Sequence, residues 1–328
     1  MLRSLNVRHC ILPLRAPFRI SRGVKHAADV VTVELDQACC IGRGESVPYA
    51  RYGESVASVI DEIESLRRDM CAGMGRDELQ ARLPPGAARN ALDAALWDLQ
   101  SRQSQVPVWT QLARPPHAPL LTALTIVIDT PEAMEKAAAR IADARLIKIK
   151  VGPDDPVARI EAVRRAAPSA RLIVDPNESW TIDILRDAQP ALERAGVNLL
   201  EQPLPADADD ALRDFSSRIP ICADESCHTA ADLPSLSNRY QAVNIKLDKT
   251  GGLTEAWRLL HAAKAGGFIV MVGCMVCSSL GIAPALEVAR HADFIDLDGP
   301  WWLETDLPGG VTLHEGLLMP PSPGFWGG

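Results

Sequence analysis

Hydrophobic residues recur at two different spacings along the chain, and the spacing changes near residue 117. The early segment DVVTVELD alternates apolar and polar positions, as a half-exposed antiparallel strand does. The stretches SVASVIDEIESLRRDM and AARNALDAALWDLQSR then place apolar residues three and four positions apart, which predicts amphipathic helices. Residues 1–117 are therefore predicted to form an α+β domain, which ends within the proline-rich segment RPPHAP.

Beyond that segment, short apolar strands alternate with amphipathic helices. The strand candidates are LTALTIVI, RLIKIKVG, RLIVDPNES, VNLLEQPLP, IPICADES, AVNIKLDKTGG, FIVMVGCMVCSS and DFIDLDGP. Strands that are separated by helices form parallel βαβ units, and these units predict a (β/α) barrel over residues 118–300. The last helix is expected to be missing or displaced, because GPWWLETDLPGG follows the eighth strand directly.

The predicted fold class is therefore α/β, a modified TIM barrel with an α+β capping domain. Residues 301–328 are expected to return to that capping domain. An open, doubly wound sheet is the alternative, but it would need a glycine-rich phosphate fingerprint after an early strand. No such fingerprint occurs in the right context.

Composition and charge narrow the class of partner. The chain has 328 residues, of which 47% are hydrophobic and 23% are charged, as in an ordinary globular protein. A formal net charge of -8 argues against nucleic acid or an anionic membrane as the main partner. No apolar run approaches about 18 residues and the first residues lack a continuous apolar segment, so we expect a cytoplasmic protein.

The eight cysteines show no framework spacing and are expected to be reduced and mostly structural. Cys274 and Cys277 form a CxxC motif, which could bind a metal ion or act in redox chemistry. Alone, this motif is a weak signal for either role.

Charged residues recur near the C-terminal ends of the predicted strands, where barrels carry their active sites. They are Lys148 and Lys150 in LIKIKVG, Asp175 in VDPNES, Glu201 in LLEQP, Asp224 in CADES, Lys246 in NIKLDKTGG, and Asp296 with Asp298 in DLDGP. From Lys150 to Lys246 the successive steps are 25, 26, 23 and 22 positions, each about one βα unit. These groups should therefore share one rim of the barrel.

Three of these residues are acids on consecutive strands. Asp175, Glu201 and Asp224 could not all stay ionised close together without a cation. An all-oxygen ligand set suits a hard ion, and we expect one Mg²⁺ per subunit. Glu225 and Asp248 are expected to orient a ligand or a lysine from a second layer. The alternative is that each acid caps a helix or pairs with a surface lysine.

The lysines suggest a proton exchange. Lys150 and Lys246 fall on the second and sixth strands, on opposite sides of an eight-strand ring, so each could face one side of a bound carbon acid. A basic role needs a depressed lysine pKa, which burial, the metal ion and the neighbouring Lys148 would favour. Lys148 would stabilise the enediolate formed from a substrate carboxylate. The alternative is that the lysines merely neutralise the acids.

These motifs together resemble the enolase superfamily, muconate-lactonizing-enzyme subgroup, over nearly the whole chain. KIKVG, the set DPNES, EQPLP and ADES, and NIKLDKTGG carry the resemblance. It implies an isomerase that uses Mg²⁺ and two lysines for a 1,1-proton transfer.

Within this subgroup, DLDGP resembles the D-x-D motif of bacterial dipeptide epimerases. The cap stretches PYARYGES and PGAARNALDAALWDL also resemble segments of these enzymes. The resemblance implies that Asp296 and Asp298 hold the ammonium of a dipeptide whose C-terminal α-carbon is inverted. L-Ala-L-Glu and L-Ala-D-Glu, from murein peptide metabolism and cell wall degradation, are the expected substrates. Arg22 and Lys25 would meet the glutamate carboxylate, although relatives tend to have arginine where Lys25 aligns.

Several other functions fit parts of the pattern. Related enzymes of the subgroup include epimerases of other side-chain specificity, N-acylamino-acid racemases and cycloisomerases. A metal-independent Schiff-base barrel would use Lys150 or Lys246 as the nucleophile. A two-thiol racemase would use Cys222, Cys227, Cys274 or Cys277. A binding protein that has lost turnover is a further alternative, and a homo-oligomer is compatible with the sequence.

Overall fold

The capping domain is built on a three-stranded antiparallel sheet. The computed structural model describes residues 3–328. The sheet has the order β1 (Ser4–Ile20), β2 (Gly23–Gln37) and β3 (Cys40–Ser46). In β2 the side chains of Val31, Val33 and Leu35 are buried against the helices of this domain, as their alternation predicts.

Five helices complete the capping domain. They are α1 (Val56–Ser65), α2 (Arg67–Ala72), α3 (Arg76–Arg82), α4 (Ala87–Ser104) and α5 (Val108–Gln111). Ser55 is the N-cap of α1 and forms a capping box there. Helix α1 ends before Leu66, so the single helix predicted for this segment is divided into α1 and α2. At Gly44 of β3 a Cβ atom would collide with the backbone of α4, and this glycine therefore permits the close packing of strand on helix.

The second domain is a nearly closed parallel barrel of eight strands in sequential order. They are β5 (Leu124–Ile126), β6 (Leu146–Lys150), β7 (Arg171–Asp175), β8 (Val197–Glu201), β9 (Ile221–Ala223), β10 (Ala242–Ile245), β11 (Ile269–Gly273) and β12 (Phe294–Asp296). The first and last strands meet where Ala123 N donates to Ile295 O at 2.8 Å. The predicted fold class, a modified TIM barrel with a capping domain, is thus confirmed.

Helices follow most of these strands. They are α6 (Pro131–Ala139), α7 (Pro156–Ala166), α8 (Ile182–Arg194), α9 (Leu233–Leu236), α10 (Leu247–Thr250), α11 (Leu253–Ala265) and α12 (Ser279–Ala289). After β8 the chain makes only a 3₁₀ turn, Asp209–Asp214, and after β12 another, Gly299–Trp302.

The alternation along β6 sorts its side chains between two environments. Ile147 and Ile149 pack outward in the large core that the barrel shares with its helices. Leu146 points inward and joins an apolar layer at the base of the barrel, to which every barrel strand or the residue beside it contributes one side chain. Lys148 and Lys150 follow at two-residue steps toward the mouth, so the strand itself directs both cations inward.

The C-terminal residues contact both domains. Strands β13 (Thr312–His314) and β14 (Leu317–Met319) form a small sheet with β4 (Leu120–Leu121) at the start of the barrel. Further on, Trp326 Nε1 donates to Arg43 O at 3.0 Å in the capping domain.

The division of the chain into domains at residues 117 and 300 stays a prediction. No helix within residues 3–328 is long and apolar enough to cross a membrane.

Candidate active site

The charged residues at the strand ends meet at the mouth of the barrel. A cavity of about 730 Å³ opens there, between the barrel and two parts of the capping domain, the turn between β1 and β2 and the segment that follows β3. Lys148, Lys150, Lys246, Glu225, Asp296 and Asp298 line it from the barrel, and Arg22, Lys25, Tyr49 and Arg51 line it from the cap. This volume lies within the range of small-molecule sites.

The three predicted metal ligands lie together and are buried. Lys148 Nζ is 3.1 Å from Asp175 Oδ2 and 2.6 Å from Glu201 Oε2, so one ammonium joins these two carboxylates. Lys246 Nζ is 2.6 Å from Asp224 Oδ2. The three acids are at most 1% exposed, and each therefore depends on a cation to remain ionised.

The charges of these acids perturb one another. Burial and then the charge of Asp175 raise the pKa of Glu201 to about 7, against the opposing effect of Lys148. Burial alone would also raise the pKa of Asp224, but Lys246 and Lys249 hold it well below its usual range. Asp175 likewise has a lowered pKa, because Lys150 and Lys148 outweigh its burial. The lysines thus stabilise Asp175 and Asp224 as carboxylates, whereas the charge of Glu201 is the least stabilised of the three.

The donor set fits a hard divalent cation. Within residues 3–328 no three histidine, cysteine or acidic side chains are arranged as a ready-made metal site. Here the Lys148 ammonium contacts the acids at the distances of an ion pair. Glu201 Oε2 and Asp224 Oδ1 are buried and have close lysine contacts, from Lys148 Nζ at 2.6 Å and Lys249 Nζ at 2.7 Å, without hydrogen-bond geometry. Three buried carboxylates that converge in this way are the ligands that Mg²⁺ prefers.

The two predicted acid–base lysines enter one cavity from opposite sides of the barrel. Lys150 lies on β6 and Lys246 directly follows β10, the second and sixth strands of the ring. Lys150 Nζ contacts Asp175 Oδ2 at 2.5 Å. Burial would lower the pKa of Lys246, but Asp224 and Glu201 raise it above the ordinary value. The depressed pKa expected from the sequence is therefore not found at Lys246 beside these two carboxylates.

Asp296 and Asp298 both line the cavity, but they do not both belong to the eighth strand. Strand β12 ends at Asp296, and Asp298 precedes the 3₁₀ turn. Asp296 Oδ2 is 2.7 Å from Lys148 Nζ, whereas its buried Oδ1 accepts no hydrogen bond. Asp298 Oδ2 accepts from Thr125 N at 2.8 Å, and burial and then Asp296 raise the pKa of Asp298 to about 6. The pair can still accept a hydrogen-bond donor from a ligand.

Arg22, in the turn after β1, and Lys25, at the start of β2, differ in what they contact. Arg22 Nη1 is 2.8 Å from Glu225 Oε1 and 3.2 Å from Glu178 Oε2, and Arg22 Nη2 donates to Tyr49 Oη at 3.0 Å. Lys25 Nζ instead lies 5.1 Å from the ring centre of Tyr49 and forms no ion pair within the described part of the chain. Arg22 thus fastens the loop to the barrel, and Lys25 remains available to a ligand.

The two acids predicted for the second layer, Glu225 and Asp248, also differ in what they contact. Glu225 is buried beside Asp224 and faces Arg22; burial and then Asp224 raise its pKa to about 8. Asp248 Oδ1 accepts from Val47 N at 3.0 Å and from Asn90 Nδ2 at 2.8 Å, both in the capping domain. Asp248 therefore ties the barrel to the cap, and its expected role in orienting a ligand or a lysine from a second layer stays a prediction.

Two buried residues near the acids are additional to those predicted. Asn244 Nδ2 donates to Glu201 Oε1 at 2.8 Å, and Lys249 Nζ is 2.7 Å from Asp224 Oδ1. The signal for Asn244 was present, since it precedes Lys246 by two positions and so shares its face of the strand. Lys249 lies in a helical turn, where that rule does not apply.

The cysteines are poor candidates for a two-base mechanism. All eight are free thiols. Burial raises the pKa of Cys227 to about 12 and that of Cys222 well above its usual value. Cys274 lines the cavity, but the pKa of Cys277 is raised by its hydrogen bond with Cys274 and by burial, which disfavours the thiolate.

Known proteins resemble the chain over almost its full length. Residues 3–112 match the mandelate racemase / muconate lactonizing enzyme N-terminal domain, and residues 132–325 match the enolase C-terminal domain-like family. The L-Ala-D/L-Glu epimerase of Escherichia coli (strain K12) is 46% identical over 97% of this chain and 99% of its own. The N-acetyl-D-glutamate racemase of a Pseudoalteromonas species is 47% identical over 88% of this chain and 91% of its own.

Solved structures show the same likeness. An enolase family member from Agrobacterium tumefaciens, with bound sodium and L-Ala-L-Glu, superposes with a TM-score of 0.97 at 45% identity, over 99% of this chain and all of that one. The dipeptide epimerase from Enterococcus faecalis V583, complexed with Mg and L-Leu-L-Tyr, gives 0.90 at 29% identity, over 98% of each chain. The chain therefore belongs to the mandelate racemase / muconate lactonizing enzyme family of the enolase superfamily, and it is an isomerase.

Proposed function

We propose that this protein is a Mg²⁺-dependent dipeptide epimerase that inverts the α-carbon of the C-terminal residue, with L-Ala-L-Glu and L-Ala-D-Glu as preferred substrates. One observation carries the proposal. Lys150 and Lys246 reach a single cavity from opposite sides of the barrel, next to three buried acids. The E. coli and A. tumefaciens relatives support the choice of substrate.

Asp175, Glu201 and Asp224 would hold the metal ion, which, when bound, supplies Lewis-acid stabilisation of negative charge on the substrate carboxylate. One of Lys150 and Lys246, in its neutral form, takes the proton from the α-carbon and becomes an ammonium. The other, already an ammonium, returns a proton to the opposite face, which inverts the configuration. Lys148, two positions before Lys150 on β6 and in contact with Glu201, stabilises the enediolate by its positive charge.

The D-x-D pair favours a substrate with a free amino group. Asp296 Oδ1 is a buried acceptor without a donor, and Asp298 lies beside it in the cavity wall. An α-ammonium would supply the missing donors and charge, whereas an N-acetyl group removes that charge. We therefore favour a dipeptide over an N-acylated amino acid, despite the N-acetyl-D-glutamate racemase among the relatives.

Lys25 favours a glutamate side chain. It lies at the start of β2, forms no ion pair within residues 3–328, and lines the cavity with Ile20 and Val24. A methylene chain that ends in a carboxylate would match this apolar wall and its cation. Arg22 cannot play the same part without leaving Glu225 and Glu178.

The proposal is tested by α-proton exchange in D₂O. EDTA-treated protein should be inactive and should recover with Mg²⁺. It should exchange and epimerise L-Ala-L-Glu and L-Ala-D-Glu faster than dipeptides with apolar C-terminal residues. Exchange of N-acetyl-glutamate without exchange of any dipeptide would contradict the substrate assignment.

Two treatments test the alternative mechanisms. Activity that survives EDTA and is lost on borohydride treatment would indicate Schiff-base chemistry instead. Loss of activity on thiol alkylation would indicate cysteine bases.

A further inference from the structure

Lys249 is a fully buried lysine that the proposed proton transfer does not use. It lies in the one-turn helix α10, three residues after Lys246. Its side chain has no exposed surface, and it is not part of the cavity lining, whereas Lys148, Lys150 and Lys246 are. Lys249 therefore meets Asp224 inside the protein and has no route to a bound substrate.

The contacts of Lys249 converge on a single residue of the site. Its Nζ lies 2.7 Å from Asp224 Oδ1 and also donates to the main-chain carbonyl of Asp224. It donates as well to the carbonyl of Asn244 at 2.9 Å. The ammonium thus donates to two main-chain carbonyls and forms a close ion pair with the Asp224 side chain. Lys249 therefore contacts both the main chain and the side chain of Asp224.

The turn that carries Lys249 is itself fixed by the capping domain. Arg89 of helix α4 donates to Thr250 O at 2.7 Å and to Gly251 O at 3.1 Å. Asn90 of the same helix donates to Asp248 on the other side of Lys249. The residues on both sides of Lys249 are therefore anchored, and the lysine can transmit a fixed position to Asp224.

Packing alone does not explain a lysine here. A buried ammonium loses its hydration, and an unbranched apolar side chain such as methionine would fill similar space without that penalty. The charge is explained if Asp224 must stay ionised and keep one orientation. Because Oδ1 is gripped by Lys249, Oδ2 is directed to Lys246 at the cavity.

We propose that Lys249 is a positioning residue that fixes Asp224 in the orientation in which it joins Asp175 and Glu201 to hold the divalent cation. This inference rests on the proposed function for the identity of the metal site. Lys249 has two opposing effects on metal affinity. Its positive charge repels a cation, whereas its contacts hold the Asp224 carboxylate in the orientation that binds one. The sign of the change on its removal therefore separates positioning from simple charge neutralisation.

The test is direct titration with Mn²⁺ of EDTA-treated protein without substrate, followed through the electron paramagnetic resonance signal of free Mn²⁺. Lys249→Met, which removes charge and donors, should bind Mn²⁺ about 10–100-fold more weakly than the unmodified protein. Lys249→Gln keeps an N–H donor and should lose less. Unchanged or tighter binding by Lys249→Met would overturn the proposal.

The matched control is Lys264→Met, an exposed lysine in helix α11, which should leave Mn²⁺ binding unchanged. Circular dichroism and thermal unfolding establish that the variants are folded. If neither Lys249 variant folds, the residue serves the fold rather than the site, and the proposal fails. Absence of Mn²⁺ binding by the unmodified protein would overturn the metal site itself, whereas normal binding by it and by Lys249→Met would overturn only the role of Lys249.

Discussion

At the scale of single residues, Lys148 and Lys150 show how two like charges are accommodated on one face of a strand. Asp175 contacts both ammonium groups, at 3.1 Å and 2.5 Å. Lys148 has Glu201 and Asp296 as additional partners, and these carboxylates hold its pKa well above the ordinary value although burial opposes this. The alternation of β6 directs both lysines inward, and acids from neighbouring strands make that placement tolerable.

Removal of either acid–base lysine should separate proton exchange from inversion. We expect Lys150→Ala and Lys246→Ala each to lower the epimerisation rate by about 10²–10⁴-fold, because one face of the α-carbon loses its proton donor. Each variant should still exchange the α-proton of the one diastereomer that faces its remaining lysine. Proton NMR in D₂O on each diastereomer measures both quantities.

The exposed lysine of helix α11 supplies the control for these variants. Lys264→Ala should epimerise normally, since Lys264 lies away from the cavity. Full epimerisation by either Lys150→Ala or Lys246→Ala would refute the two-base mechanism.

Lys25 should govern selectivity for an acidic side chain. Lys25→Met should raise KM for L-Ala-L-Glu by about 10–100-fold, the range expected for loss of a charge-assisted hydrogen bond. The kcat should change much less, because Lys25 does not touch the reacting carbon. Lys25→Arg keeps the charge and should retain much of the affinity. Steady-state kinetics on L-Ala-L-Glu and L-Ala-L-Leu compare the two side chains, and an equal effect of Lys25→Met on both would contradict this role.

At the scale of elements, strand β3 of the cap and helix α12 of the barrel are joined through one buried carboxyl group. Glu45 accepts from Ser278 N at 2.7 Å and from Ser278 Oγ at 2.5 Å, where α12 begins. Burial raises the pKa of Glu45 to about 7, although the hydrogen bonds from Ser278 act in the opposite direction. Ionised Glu45 is thus a poorly stabilised charge at this junction.

The stability of the protein should therefore depend on pH through Glu45. Its pKa is higher in the folded than in the unfolded chain, so its contribution is present below about pH 4.5 and is lost as the pH rises through about 7. The maximum loss is on the order of 3 kcal/mol. Glu45→Gln resembles the protonated form and should gain stability relative to the unmodified protein between pH 5 and pH 8. Urea unfolding of both proteins across this range measures the difference.

Glu304 is an exposed acid that serves as the control. Glu304→Gln should leave the pH dependence of unfolding unchanged. If Glu45→Gln were destabilising by the same amount at every pH, the carboxyl group would not be titrating at the junction.

Two elements differ from what hydrophobic spacing along the chain predicts. The periodicity of residues 55–70 predicts one helix, yet α1 ends at Ser65 and α2 begins at Arg67, although Ile63, Leu66 and Met70 are all buried in the core of the cap. Between β8 and β9 a 3₁₀ turn stands where a regular barrel would have a helix. Such departures depend on what the segment packs against, which hydrophobic spacing does not encode.

At the scale of the whole molecule, both domains are needed to form the cavity. The barrel supplies the lysines and acids, and the cap supplies Lys25, Tyr49 and the Arg22 contact that holds its loop in place. Cap helix α4 also fixes the turn that follows Lys246. Cap and barrel should therefore unfold together.

Binding of Mg²⁺ should stabilise the whole fold. At about 100 times its Kd, Mg²⁺ should contribute about 2.7 kcal/mol to the free energy of unfolding, a rise of roughly 4 °C in Tm for a chain of this length. Differential scanning fluorimetry of EDTA-treated protein with and without Mg²⁺ measures this shift. Glu201→Gln removes one charged ligand and should lose most of it, and an equal shift in that variant would place the ion elsewhere.

The sequence by itself determined the barrel, the cap and the group of residues at the barrel mouth. It could do so because strand alternation fixes which side chains point inward, and the regular βα spacing brings the ends of successive strands to the same rim. Lys148, Lys150, Asp175, Glu201 and Lys246 all follow from these two local rules. Asp298 was placed in the cavity correctly but for the wrong reason, since the strand ends before it.

Only the tertiary structure decided which partner each charged group contacts. Arg22 and Lys25 lie three positions apart, in the turn after β1 and at the start of β2, yet the first pairs with barrel acids and the second does not. Asp248 contacts the cap and Lys249 contacts Asp224, although the two are neighbours in sequence. Ion pairing acts over a few ångströms between residues that lie from 25 to 203 positions apart in these examples, and such distances exist only once the chain has folded.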